Sequence, residues 1–184
     1  MLLLSGCESV SRAETPAQRP AFTVAMAEGE NMRIVSSSFV EGGAIPARHT
    51  CMGADVSVPL AWTDVPAGTR SFALIIDDPD APDPRHPQMV WVHWVLYNIP
   101  PDTLSLPEGI VELPAGTLEG LNDWHQTGYR GPCPPVGRHR YFHKLYALDT
   151  ELSDLETPTK SELLRAITGH VIAETALMGT FAKK

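Results

Sequence analysis

The stretch from Gly128 to Asp149, GYRGPCPPVGRHRYFHKLYALD, limits the folds open to this chain more than any other. It starts as a loop dense in Gly and Pro and ends in a mix of aromatic, aliphatic and long polar residues that predicts a strand. A strand shows every second side chain on one face, so His139, Tyr141 and His143 should share one side and Arg140, Phe142 and Lys144 the other. The segment Pro132-Cys133-Pro134-Pro135 has φ fixed at each proline, so it can hold a loop wall against the His139/Tyr141 face at little entropic cost. A stiff wall, an imidazole and a phenol together predict a preformed polar pocket.

The elements around it read mostly as strands. Arg33 to Phe39 alternates weakly and ends at a Gly42-Gly43 turn. The segment from Ile45 to Trp62 reads as a long structured loop or a set of short strands. Ser71 to Ile76 is a short apolar run bounded by Gly68 and Pro79, as in a buried strand, and it leads into a turn, DDPDAPDPRHP. Val90 to Ile99 is apolar on both faces, with Val90, Val92, Trp94 and Leu96 on one and Trp91, His93, Val95 and Tyr97 on the other. It should therefore be central. Gly109 to Leu113 is a candidate short strand. Late in the chain, Thr159-Lys160-Ser161-Glu162 is a capping box, and Leu163, Leu164, Ile167 and Val171 follow at helical spacing. Gly169 can break that helix. Leu177, Gly179 and Phe181 alternate as a last strand. The expected class is mainly β, a β-rich α+β fold with one or two C-terminal helices. There is no βαβ alternation, internal repeat or phosphate-binding glycine loop.

The chain has 184 residues and a formal net charge of −8. That balance argues against nucleic acid as a partner, because phosphate neutralisation needs clustered Lys and Arg. Any anion site must be built locally. At the N-terminus, Leu4-Ser5-Gly6-Cys7 has the form of a bacterial lipobox, in which the cysteine is acylated and becomes the first residue of the mature chain. Few residues precede it, so the true start is expected upstream. Residues 1–7 thus read as a partial lipoprotein signal, and 8–31 as a tether with a reach of about 25–30 Å. The domain proper is 32–184. An arm packed on the domain is the alternative for 8–31, since Phe22, Val24 and Met26 alternate. This reading places the protein in the bacterial envelope, anchored to a membrane through Cys7. If Cys7 carries lipid, Cys51 and Cys133 remain as an even pair in an oxidising compartment, which predicts a disulfide. Two buried free thiols are the alternative.

Three motifs then resemble a known family. They are Asp78-Pro79-Asp80-Ala81-Pro82, Trp91-Val92-His93-Trp94, and Gly131-Pro132-Cys133-Pro134-Pro135 followed by Gly137-Arg138-His139-Arg140-Tyr141. In this order and spacing the chain resembles the phosphatidylethanolamine-binding proteins, in particular their bacterial Raf-kinase-inhibitor-like branch, over about Met32 to Phe181. The resemblance implies a large central antiparallel sheet, a smaller sheet packed on it, and helices near the C-terminus. It also implies an anion pocket lined by Asp78, Trp91, His93, Pro134, His139 and Tyr141, open to phosphate-type anions or phospholipid headgroups. The sequence departs from the family pattern at Met52, Val58, His143 and Phe181.

A carboxylate beside a histidine raises the histidine pKa, so Asp78 near His93 or His139 would favour an imidazolium that donates to phosphate. The leading expectation is a non-enzymatic binder with no catalytic residue, metal or cofactor. An inhibitor of a protease or kinase is the alternative, and a homodimer stays open. A hydrolase using Asp78, His93 and His139 is third, because HExxH, GxSxG and a close His pair are all missing from the sequence.

Overall fold

The structure, a computed structural model, describes residues 32–183. The lipobox, Cys7 and the tether lie outside them. Two antiparallel sheets stack face to face, with the smaller one built from β1 (Arg33–Val35), β2 (Leu60–Thr63) and β5 (Ser105–Leu106). The larger runs in the order β6-β4-β3-β7-β8, with β3 at Ser71–Ala81, β4 at Met89–Ile99, β6 at Leu118–Glu119, β7 at Arg138–Leu148 and β8 at Val171–Ala182. A short helix, α1 (Lys160–Ala166), covers the other face of the large sheet.

The alternation of side chains explains the layers. Phe72, Leu74 and Ile76 of β3 point toward the small sheet and pack with Ile34, Leu60, Trp62 and Leu106. Ala73 and Ile75 point the other way and pack with Tyr97, Leu148, and Leu163 and Ile167 under the helix. β3 is buried on both sides, so it and not β4 is the centre of the sheet. β4 keeps its two apolar faces, and on its outer edge it pairs with the two residues of β6 and takes loop bonds from Gly120, Asp123 and Arg130.

Several boundaries differ from the sequence reading. β3 runs on through Asp77, Asp78 and Asp80 to Ala81, where a turn was expected. Its neighbours β4 and β7 supply ladder bonds there, and Pro79 fits because the register shifts between Asp78 and Ala81. The β4 alternation also shifts. Trp94 pairs with Ile76 and Val92 with Asp77, leaving His93 as the extra residue of a bulge. Trp91, His93 and Trp94 therefore lie on the small-sheet side, and Val92 packs with Val95 and Tyr97 on the helix side.

Residues 109–113 are loop, and the short strands lie on either side of them, at β5 and β6. β1 is only three residues long. The capping box forms as written, with Thr159 as N-cap and Glu162 reaching back. The helix then ends at Ala166, and Gly169, at φ +85°, turns the chain so that Val171 opens β8 instead of continuing the helix. β8 is accordingly longer than the Leu177-to-Phe181 run suggested. One α-helix, not two, is present among the described residues.

Candidate functional site

The site sits at the end of the large sheet where β3 finishes, β4 begins and β7 begins. Asp78 is 3% exposed and faces the small-sheet side. Its Oδ1 accepts the Asp80 N–H at 2.8 Å, and its Oδ2 accepts from His139 Nδ1 at 2.7 Å. The second nitrogen of His139, Nε2, lies 3.0 Å from the Val136 carbonyl oxygen. Both neighbours are acceptors, so the ring meets both only with a proton on each nitrogen. His139 is thus a fixed part of the wall, locked by a carboxylate on one side and a loop carbonyl on the other.

His93 is held differently. Its Nδ1–H donates to the Arg130 carbonyl at 2.6 Å, while the Arg130 N–H donates to the His93 carbonyl at 3.2 Å. That pair fixes the tautomer and leaves Nε2 without a partner among the described residues. Burial pushes the His93 pKa below its ordinary value, against the Arg130 carbonyl and the Asp78 charge, which raise it. Of the two histidines expected beside Asp78, His93 is not the one bonded to that carboxylate, and there desolvation outweighs the charge and leaves a ring with a free acceptor.

Tyr141 completes the group. Its ring stacks on His139 at 6.4 Å and meets His93 edge-on at 5.3 Å. Its hydroxyl is buried and lies near the Asp78 carboxylate, but makes no well-formed hydrogen bond with any described residue. Burial first, then the Asp78 charge, raise the phenol pKa, so Tyr141 stays a neutral donor. The strand alternation places these side chains as the sequence suggested. His139, Tyr141 and His143 turn inward and Arg140 turns away. Arg140 grips Asp80 with two side-chain bonds of 2.7 and 2.9 Å, and its own N–H donates to the same carboxylate. Asp80 braces the end of the strand, and that pairing holds its carboxyl below the usual range.

The facing wall comes from the Pro-rich loop. Cys133 is bonded to Cys51, with Cα atoms 5.4 Å apart, and the Cys51 N–H donates to the Pro132 carbonyl. The Gly131 N–H donates to Asp55, and a Cβ on Gly131 would stand 2.1 Å from the His49 carbonyl oxygen, so only glycine fits there.

Between the walls lies a cavity of about 360 Å³. All six residues anticipated from the sequence line it: Asp78, Trp91, His93, Pro134, His139 and Tyr141. Ala81, Pro82, Met89, Trp124, Cys133 and Pro135 line it too. Of these, Trp124 is the consequential omission. It meets Trp91 at 86° and 5.3 Å, touches His93, and carries the Arg130 guanidinium over its ring at 5.4 Å. The signal for it was local. Asn122 turns the chain by accepting the Trp124 and Gln126 N–H groups, and Asp123 accepts the Val92 N–H at 2.7 Å. Asn-Asp-Trp was thus a mounting for the tryptophan.

The other histidines stay out of the site. His86 and His125 are exposed, and His170 pairs with Asp149 at 2.9 Å in the turn before β8, not in the helix. Among the described residues, no group of three or more His, Cys, Asp or Glu is placed to hold a metal ion.

Comparison with known proteins agrees with this architecture. The family model described as phosphatidylethanolamine-binding protein matches residues 35–182. A UPF0098 protein of Methanothermobacter thermautotrophicus is 48% identical over 156 residues, covering 83% of this chain and 99% of its own. A solved phosphatidylethanolamine-binding protein homologue of Chlamydia trachomatis superposes with a TM-score of 0.78 at 42% identity, over 84% of this chain and 99% of the other. The structure of E. coli YbcL, described as a new member of the mammalian family, gives 0.76 at 29% identity, over 84% and 100%. On fold, motifs and matched length together, the chain belongs to the phosphatidylethanolamine-binding protein family.

Proposed function

We propose that this protein is a non-catalytic binder whose cavity takes a phosphate-type anion, most simply the headgroup of a phospholipid. The Tyr141 hydroxyl carries the reading. A buried hydroxyl without a partner is costly, and this one stands beside a cavity where a ligand oxygen would satisfy it. His93 Nε2 is the second open polar atom on the same wall. Aromatic and proline side chains fill most of the rest, as in small-molecule sites that orient a ligand with few polar groups. A wider groove of about 810 Å³ has its one cationic side chain, Arg33, already paired with Asp64, and Glu174 beside it adds a second carboxylate, which disfavours an anion.

Neutral His93 offers a lone pair to the cavity, which an anion oxygen cannot use. Binding should therefore draw a proton onto Nε2, and linkage then makes affinity rise as pH falls. A phosphodiester keeps one charge across this range, so glycerophosphoethanolamine is the clean probe. The test is an NMR titration of the protein with that compound at about pH 8, 7 and 5.5. Shifts are expected at Asp78, His93, His139 and Tyr141, with tighter binding at the acid end. Binding that is flat across the series would remove the His93 protonation account. No shift at millimolar ligand would remove the headgroup reading.

The same proposal places the protein in the bacterial envelope, held to a membrane by lipid on Cys7. The motif Leu4-Ser5-Gly6-Cys7 supports it. An acylated N-terminal peptide in the mass spectrum of the membrane fraction, lost in Cys7→Ser, is the expected result.

A further inference from the structure

β8 is the last strand of the large sheet, so one of its edges meets no further strand among the described residues. Part of that edge is closed. The Met178 N–H donates to the Glu41 carboxylate, and the Met178 carbonyl accepts from the Gly42 N–H. The Thr180 N–H donates to the Gly43 carbonyl, and the Thr180 carbonyl accepts from the Ile45 N–H. Pairing with β7 keeps its register without a break from Ala182 back to Ala173. Backbone groups alternate in direction along such a ladder, so those of Glu174 and Ala176 point outward as those of Met178 and Thr180 do. No described backbone group pairs with them. The open run, Val171 to Ala176, carries neither lysine nor proline, and Val171 and Ile172 are 38% and 39% exposed. Natural sheets cover or blunt an edge of this kind, because it is a template for another strand.

The open edge borders the wider groove of about 810 Å³, to which Ile172, Ala173, Glu174 and Thr175 contribute. Val65 and Pro66, in the turn after β2, line it as well. So do Met32 and Arg33, and the described chain therefore enters its fold through this groove. The segment just upstream, Phe22-Thr23-Val24-Ala25-Met26, lies outside the described residues. Its sequence has the alternation of a strand, with Phe22, Val24 and Met26 on one side, and it carries no charge to bury. Five residues separate it from Met32, with Gly29 among them to allow a turn. They span up to about 20 Å, which is enough to bring the segment back along the edge.

We propose that residues 22–26 add to the open edge of β8 as a further strand of the large sheet, pairing with the backbone groups of Glu174 and Ala176 and setting Phe22, Val24 and Met26 into the groove. Main-chain bonds of so short a strand hold it weakly, and the three apolar side chains supply the rest of the hold. The arm then closes the edge against other chains. It also fixes where residues 8–21 leave the domain. β7 begins at the cavity and ends at Leu148, opposite Val171, so that exit lies at the end of the large sheet away from the cavity. None of this depends on the ligand of the cavity or on lipid at Cys7.

The test is amide hydrogen exchange, followed by NMR, on the full chain carrying Cys7→Ser, which keeps it in solution. The Glu174 and Ala176 N–H groups are expected to exchange at least about tenfold more slowly in this parent than after a further Val24→Asp, which puts a charge into the groove. Val10→Asp changes the same N-terminal region outside the strand and should exchange like the parent. The amides of β3 check that the fold is intact in all three proteins. Fast exchange at Glu174 and Ala176 already in the parent overturns the pairing, and so does equal protection in the parent and Val24→Asp. Protection that grows with protein concentration and survives Val24→Asp overturns it in favour of a second copy paired edge to edge.

Discussion

Asp77 and Asp78 are neighbours on β3, both nearly inaccessible to water, and they do different work. The strand pleat sends them to opposite faces. Asp77, on the helix side, receives Lys144 of β7 at 2.7 Å and Lys160 of α1 at 2.5 Å on one carboxylate oxygen. Asp78, on the small-sheet side, receives His139 and the Asp80 N–H and forms part of a cavity wall. Two ammonium groups wall Asp77 in and tie the first residue of the helix to the sheet. A histidine fixed by Asp78 faces space. The same residue type, one position apart, is a brace on one face and a candidate site on the other, and only the partners reveal which.

Removing the brace should have the largest effect on stability. Asp77→Ala leaves two lysines beside a buried position, and breaking such pairs costs about 3–5 kcal/mol. Both lysines keep some exposure and can turn toward water, so about 3 kcal/mol is expected in urea unfolding, with glycerophosphoethanolamine affinity unchanged. A variant that keeps its stability but loses ligand would reverse the assignment of the two aspartates.

Acid should expose a second cost on the Asp78 face. His143 is fully buried next to Phe39, with Nε2 unpartnered, and burial pushes its pKa down to about 4. Its unfolded value is about 6.5, so the unfolded chain binds the extra proton first. Stability is then complete above the unfolded value and falls as pH drops toward the folded one. Linkage gives a loss of about 2 kcal/mol by pH 5. His143→Gln should flatten that limb in unfolding curves taken between about pH 7 and 5, and an unchanged slope would show that His143 does not set it.

How far the sequence could reveal these features follows from their physical range. The β7 faces were readable because strict alternation needs no tertiary knowledge, and His139, Tyr141 and Arg140 fell on the expected sides. The capping box was readable because Thr159 and Glu162 satisfy each other locally. The β4 faces were misread because the bulge at His93 is decided by pairing with β3, and no residue of β4 announces it. The extension of β3 through Pro79 was hidden for the same reason. Ladder bonds to strands distant in sequence outweighed a local turn signal. Which of His93 and His139 pairs with Asp78 was left open because a sequence shows a carboxylate but neither its partner nor the depth of burial. Trp124 was missed because its place in the wall depends on a loop closed by Asn122.

Tyr141→Phe sharpens the cavity side of the comparison. It removes a hydroxyl that makes no well-formed hydrogen bond to a described group, only an approach to the Asp78 carboxylate, so stability should change little. A hydrogen bond to a charged ligand oxygen is worth about 1.5–3 kcal/mol, so headgroup affinity should fall at least about tenfold. Equal affinity in parent and variant, measured by the same titration, would mean that the hydroxyl does not touch the ligand.

The smallest effect should come from removing half of the brace. Lys144→Met keeps Asp77 paired with Lys160, and the methionine covers the surface that the lysine stem covered, while the ammonium over the Phe142 ring is lost. Lys144 is about one-third exposed, so its share of the ion pair is weakened by solvent, and a loss under about 1 kcal/mol is expected. The size of this loss relative to Asp77→Ala decides what the second lysine is for. If Lys144→Met alone costs nearly as much as Asp77→Ala, the two ammonium groups act as one unit and the helix contact through Lys160 cannot stand without the sheet contact. If it costs little, Lys160 is sufficient, and the Asp77 side is braced mainly by the helix laid against it.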